Sequence, residues 1–112
     1  MKKRPELLAP AGTMEKLQMA LAYGADAAYF MVNGTTGALH TMLLAALAPR
    51  DVLLVPRNVH CSVVGAMILT GVRPIYMQPQ IDTRLGIAMG VSLHTVEAAV
   101  HEYPEARAVL LV

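Results

Sequence analysis

The chain has 112 residues, 55% of them hydrophobic and 15% charged, with a formal net charge of +1. That length suits one small domain, the apolar content allows a well-buried core and argues against disorder, and the near-zero charge offers no basic stripe for nucleic acid. The single cysteine, Cys61, excludes an internal disulfide framework, and the apolar stretches, broken by Pro, Arg or Gly, fall short of the roughly 20 residues that span a bilayer.

The basic start Lys2-Lys3-Arg4 runs into Pro5 and Glu6 rather than into an apolar core, so it reads as a solvated N-terminus and not as a secretory signal. A soluble cytoplasmic protein that binds neither nucleic acid nor membrane is expected. Glu6 to Ala9 is a short strand closed by the turn Pro10-Ala11-Gly12. Thr13 caps a helix to about Tyr23, with Leu17, Ala20 and Leu21 at helical spacing and Gly24 as its stop. Ala27 to Val32 is apolar throughout, as for a strand covered on both faces. The turn Asn33-Gly34-Thr35-Thr36-Gly37 leads into a helix from about Gly37 to Leu47, and Pro49-Arg50-Asp51 turns into the strand Val52 to Val55.

Pro56 closes that strand. A helix follows from about His60 to Thr70, stopped by Gly71, and then a strand from Val72 to Met77 whose Pro74 suits a sheet edge or strand start. Gln78 to Val91, with Pro79, Gly86 and Gly90, reads as a long loop. Ser92 caps a helix to about Tyr103, and Ala108 to Val112 is a strand of buried type at the end of the chain, as if cut from something longer. Short β-rich runs alternating with helices indicate an α/β domain. The eight methionines, among them Met31, Met42, Met67, Met77 and Met89, read as fillers of core gaps. Asp26, Asp51 and Asp82 sit at turns where local hydrogen bonding favours Asp, and Tyr76 reads as packing. His40, His94 and His101 are scattered singly and make no paired-ligand spacing, so no metal site is expected.

Two features carry chemistry. Asn33-Gly34-Thr35-Thr36-Gly37 lies between a strand and a helix, where free N–H groups and the positive end of the helix dipole attract a phosphate. The glycines permit close approach and the threonine hydroxyls can donate; an ordinary capped helix is the plain alternative, and the motif is neither a Walker loop nor a GxGxxG fingerprint. Pro56-Arg57-Asn58-Val59-His60 lies at the carboxyl end of another strand, the side on which open α/β sheets bind ligands. There His60 offers either a helix cap or a flat ring able to stack on a heteroaromatic group.

The segments "MVNGTTGALHTMLLAAL", "DVLLVPRNVHCSVVGAMILTGVRPIYMQPQID" and "LGIAMGVSLHTVEAAVHEYPEARAVLLV" resemble, in order and spacing, the major domain of the ornithine/lysine/arginine decarboxylases. The resemblance covers residues 30–112, about three quarters of the chain. It implies an aspartate-aminotransferase-like fold and pyridoxal 5'-phosphate as cofactor. It also implies that Thr35 and Thr36 hold the phosphate, Gly34 gives access, His60 stacks on the pyridine ring and Ser62 lies nearby. The family commonly has a lysine after that histidine; Cys61 stands there, read as a buried or half-buried small residue. The lysine that forms the Schiff base and the aspartate that pairs with the ring nitrogen lie beyond Val112 in the family. Lys2, Lys3 and Lys16 are all outside the matching region, so no catalytic residue is assigned and the fragment is expected to be inactive.

Residues 1–30, "PELLAPAGTMEKLQMALAYGADAAYF" within them, resemble instead the opening of the U32 peptidase family, which includes collagenase-like peptidases and RNA-modifying relatives. The sequence thus reads as a fusion of two fragments meeting near Tyr29-Phe30-Met31. In the decarboxylase fold the strand at Ala27 lies at one end of the sheet, and those at Val52, Val72 and Ala108 cluster towards the other. A stand-alone chain must either leave that gap or bring its strands together differently, and the second is expected. We therefore expect one α/β domain, a three-layer α/β/α sandwich on about five mostly parallel strands with right-handed crossovers. A homo-oligomer is compatible with this. The alternative readings are a U32 peptidase-like or RNA-modification-related module, and a non-catalytic designed or truncated α/β domain.

Overall fold

The computed structural model describes residues 5–11, 13–30 and 34–111, with backbone alone at 9–11 and 27–30. Its elements in chain order are β1 (Glu6–Ala11), α1 (Met14–Ala22), β2 (Ala27–Phe30), α2 (Thr35–Ala46), β3 (Val52–Pro56), α3 (Cys61–Thr70), β4 (Arg73–Met77), β5 (Ile81–Asp82), β6 (Ile87–Ala88), α4 (Leu93–Glu102) and β7 (Ala106–Leu110). Five strands form one sheet in the order β2-β1-β7-β3-β4, every neighbouring pair parallel. The gap is closed by β1, which pairs with β2 on one side (Leu8 with Ala27) and with β7 on the other (Leu8 with Leu110).

Strand alternation sends neighbouring side chains to opposite faces. On β3, Leu53 and Val55 enter a core with Leu39, Met42, Leu43 and Leu47 of α2 and Val63, Ala66 and Met67 of α3. Val52 and Leu54 enter a second core, against Val96, Ala99, Val100 and Tyr103 around α4. Helices thus cover both faces of the sheet, and a right-handed crossover from β1 to β2 puts α1 on the α4 side. This is the expected α/β sandwich. Among the described residues no buried side-chain polar atom lacks a partner, and no helix is long and apolar enough to cross a membrane.

Several boundaries differ from the sequence reading, each for a local reason. β1 continues through Pro10 and Ala11, which pair with Tyr29 and Phe30. Among the described residues the ladder with β7 runs from Glu6 to Leu8, before Pro10, whose missing N–H therefore interrupts none of that ladder's described pairs. β7 begins at Ala106, two residues early. Its register against β3 shifts between the Val52–Ala106 and Leu53–Ala108 pairs, which leaves Arg107 as a bulge. The bulge turns the exposed Arg107 outwards and resets the alternation, so that Ala106 and Val109 share one core while Ala108 and Leu110 share the other.

The stretch read as a long loop carries the antiparallel hairpin β5–β6, Ile81 opposite Ala88 and Asp82 opposite Ile87. Asp82 Oδ1 accepts from the N–H groups of Arg84 (2.9 Å) and Leu85 (3.0 Å), which closes the turn. Asp51 bonds as locally, accepting from Ala48 N–H at 2.8 Å. Asp26 Oδ2 accepts from Leu7 N–H of β1 at 2.8 Å. Pro74 lies on β4, an edge strand, as expected. Met42, Met67 and Met77 are buried, but Met14 and Met19 on α1 are exposed and Met89 is half exposed on the hairpin side, so these three fill no core gap; Met31 lies outside the described residues.

Candidate functional site

β3 delivers the chain to the carboxyl edge of the sheet at Pro56, and Arg57 N–H donates to Met77 O at 2.9 Å, prolonging the pairing with β4. Asn58 Nδ2 donates to Met89 O at 3.2 Å, which ties this loop to the segment after the hairpin. His60 is the N-cap of α3, in extended geometry at φ −65° and ψ 152°. Its Nδ1 accepts from Ser62 N–H at 3.2 Å and lies 2.9 Å from Ser62 Oγ. A nitrogen that accepts an N–H carries no proton, so the Ser62 hydroxyl donates to it as well and a neutral ring carries its proton on Nε2.

His60 thus does what the plainer sequence reading foresaw, capping its helix, with the ring exposed. Cys61 differs from expectation. It is exposed, because the first helical position after the cap points away from the sheet. Its Sγ lies 3.6 and 3.7 Å from the two ring nitrogens of His60. Tyr76 is also more open than packing would require, its ring facing the Arg57 guanidinium at 5.8 Å.

The second feature is the start of α2. Gly34 is its N-cap at φ 96° and ψ 157°, a backbone region that only glycine adopts without strain. This lets the chain enter the helix at Thr35, two residues earlier than the sequence suggested. Thr35 and Thr36 therefore occupy the first turn itself, both exposed. Among the described residues no side chain caps this helix. Its opening N–H groups, and both threonine hydroxyls, have no partner among the described residues. A Cβ built at Gly34 or at Gly37 meets nothing within 4 Å, so the space over the turn is open. Asn33 lies outside the described residues.

One hydrogen bond joins the two features. His40 Nε2 lies 3.1 Å from the carbonyl oxygen of Ser62, and a carbonyl only accepts, so His40 donates from α2 into the first turn of α3. Thr36 is four residues before His40, on the same helix face and about 6 Å nearer the N-terminus. The α2 opening turn and the His60 turn therefore flank the same end of the α2–α3 pair. The sequence reading placed His40 among scattered histidines. The Thr36–His40 spacing was the available signal, but nothing in it pointed to Ser62. Lys16 is exposed on α1, while Lys2 and Lys3 lie outside the described residues.

Comparison with known proteins decides the lineage. The family model described as Orn/Lys/Arg decarboxylase, major domain, matches residues 2–112. The chain belongs to that family. The match runs through the first thirty residues as well, the segment whose wording resembles the U32 peptidases. An arginine decarboxylase of Bacillus cereus is 42% identical over 105 residues, 92% of this chain and 23% of that protein. One of Bacillus subtilis is 40% identical over 109 residues, 96% of this chain and 22% of that protein. An ornithine decarboxylase of Haemophilus influenzae is 38% identical over 79 residues, 70% of this chain and 11% of that protein. The chain thus spans less than a quarter of the length of the arginine decarboxylases it matches. No solved structure matches it.

A decarboxylase of this family depends on pyridoxal phosphate, and the start of α2 fits the phosphate of such a group. Among the described residues it offers a helix N-terminus without a side-chain cap, two hydroxyls without a partner on the opening turn, and clear space over a glycine.

Proposed function

We propose that this chain is the cofactor-phosphate-binding part of a pyridoxal-phosphate-dependent ornithine/lysine/arginine decarboxylase, without decarboxylase activity of its own. The observation that carries the reading is the start of α2, where exposed Thr35 and Thr36 follow Gly34 and no described side chain caps the helix. Their N–H groups and hydroxyls would hold the phosphate dianion, helped by the helix dipole. Gly34 would admit it close to the backbone. His60, on the adjoining turn, would lay its ring against the pyridine, with Ser62 holding Nδ1 and so fixing the ring's rotation.

When bound, the cofactor supplies an electron sink for the carbanion left by loss of carbon dioxide. The chain's residues bind and orient it. None of Lys2, Lys3 or Lys16 falls within the segment that resembles the family's cofactor site, so the covalent attachment and the proton transfers of turnover would need groups supplied by other parts of a full-length enzyme. A cytoplasmic location agrees with such a cofactor.

The test is equilibrium binding of pyridoxal phosphate, by calorimetry and by its absorbance and fluorescence, to the wild-type chain and to Thr35→Val/Thr36→Val and His60→Ala. Each loses hydrogen bonds to a charged group or a stacking surface, so a weakening of about 5- to 50-fold is expected for the threonine pair. Binding that is indifferent to all three positions would remove the site assignment. Carbon dioxide release from arginine, lysine or ornithine by the isolated chain would overturn the non-catalytic reading.

A further inference from the structure

We propose that His40 is a positioning residue for the cofactor site, one that sets the spacing between the phosphate-holding turn of α2 and the His60 turn of α3; this rests on the cofactor reading above. The bond it makes is directional and crosses between elements. His40 Nε2 donates to Ser62 O at 3.1 Å, and the pair is partly buried, so water competes with it less than at an open surface. The acceptor belongs to the residue whose N–H and hydroxyl hold His60 Nδ1. The donor stands one turn below Thr36, on the same face of α2. A continuous path therefore runs from the turn that would hold phosphate, through His40 and Ser62, to the ring that would stack.

The surroundings keep the imidazole in place. Gly65 lies against it: a Cβ there would sit 3.7 Å from His40 Nε2 and 3.9 Å from Cε1. Both distances are ordinary van der Waals contact, so the imidazole packs over this glycine. Nearby, Leu39 and Leu43 of α2 and Leu47 at its C-cap belong to the core shared with α3. That packing presses the helices together but is nondirectional and tolerates sliding, whereas a single donor aimed at a single carbonyl defines a register. A ligand that bridges two helix starts responds to register. A ligand held by one helix start does not.

The experiment uses the full chain in three forms: wild type, His40→Leu, which keeps the bulk without the donor, and His40→Gln, which restores an N–H donor. Urea unfolding of each establishes that it is folded under the assay conditions. Without ligand, amide hydrogen exchange compares Val63 in the first turn of α3 and Ala66 in its second with Gly71 at the helix end. His40→Leu should lose about 3- to 10-fold of the protection at the first turn and little at Gly71, the scale of one hydrogen bond. His40→Gln should recover most of it. With ligand, His40→Leu should bind pyridoxal phosphate about 3- to 10-fold more weakly while its affinity for inorganic phosphate stays unchanged, and His40→Gln should again recover.

Unchanged exchange in His40→Leu, or equal loss for pyridoxal phosphate and inorganic phosphate, would overturn the positioning role. A wild type that binds no pyridoxal phosphate would overturn the cofactor reading and the role proposed within it. The exchange data then still decide whether the tie holds the α3 turn.

Discussion

Gly34 and Gly37 stand three residues apart, and a Cβ at either would meet nothing within 4 Å. On space alone, Gly→Ala should behave alike at both. Backbone geometry separates them. Gly34 sits at φ 96° and ψ 157°, where an alanine stores about 1–3 kcal/mol of strain. Gly37 lies inside α2, where alanine restricts the unfolded chain and favours the helix by about 0.5–1 kcal/mol. The two substitutions should therefore move stability in opposite directions. With a domain of this size, each kcal/mol corresponds to about 4 °C in melting temperature.

Urea unfolding, read as the shift of midpoint at constant slope, measures both. Gly34→Ala has one escape: the first turn of α2 can fray, which would relieve strain and lower the penalty towards 1 kcal/mol or below. Amide exchange at Ala38, whose N–H makes the first helical bond, to Gly34 O at 3.2 Å, separates frayed from strained. Equal stability of Gly34→Ala and wild type with Ala38 still protected would refute the strain argument. A destabilising Gly37→Ala would refute the assignment of residue 37 to the helix. Phosphate binding should follow the same division, lost with Gly34→Ala and kept with Gly37→Ala, because only the former moves the N–H groups.

Leu53 is fully buried on a strand flanked on both sides, so Leu53→Ala should cost about 2–5 kcal/mol in urea unfolding, against less than about 0.5 kcal/mol for Ile68→Ala on the exposed face of α3. Tyr103 titrates above its ordinary value, chiefly because the Glu102 carboxylate opposes a second negative charge and accepts its hydroxyl hydrogen bond. The folded state thus keeps that proton longer than the unfolded state does, so its contribution is complete below pH 10 and fades as pH rises through the folded value. Glu102→Gln should bring the Tyr103 titration, followed by phenolate absorbance, down towards 10, and an unmoved titration would contradict the cause given. Cys61 is exposed, so the native chain should react with one equivalent of a thiol reagent without denaturant, at a rate within about tenfold of the unfolded chain.

The layered α/β architecture was legible because each element announced itself chemically. Thr13 and Ser92 accept from Lys16 N–H and Thr95 N–H as helix caps. Gly71 closes α3 at φ 70°. β3 is buried at every position, as its unbroken apolar run implied. What escaped was whatever depends on partners distant in sequence. The last strand reads as starting at Ala108, whereas it begins at Ala106, and the bulge that accommodates Arg107 exists through pairing with β3. Asp26 looks like a turn residue, yet its carboxylate reaches Leu7. The exposure of Cys61 follows from which way α3 faces, and periodicity does not fix that so close to a cap. For the candidate site, Thr35, Thr36 and His60 were visible as residue types at strand ends, while the His40–Ser62 bond that relates them requires two packed helices.

Placement of the α2 start relative to His60 follows from two ties of different kind. β2, which leads towards α2, is joined to the β7–β3–β4 part of the sheet only through β1, whose ladder with β7 runs from Glu6 to Leu8. That ladder is short and belongs to the backbone. The second tie passes through side chains, where α2 and α3 share a core on one face and His40 reaches Ser62. A short ladder tolerates small rotations of β1 and β2 against the rest of the sheet, and such rotations would carry Gly34 and Thr35 with them. The helix–helix contact opposes that rotation close to where a ligand would bridge the two turns. The carboxyl edge of the sheet brings both helix starts to one side, and the α2–α3 contact fixes the separation between them.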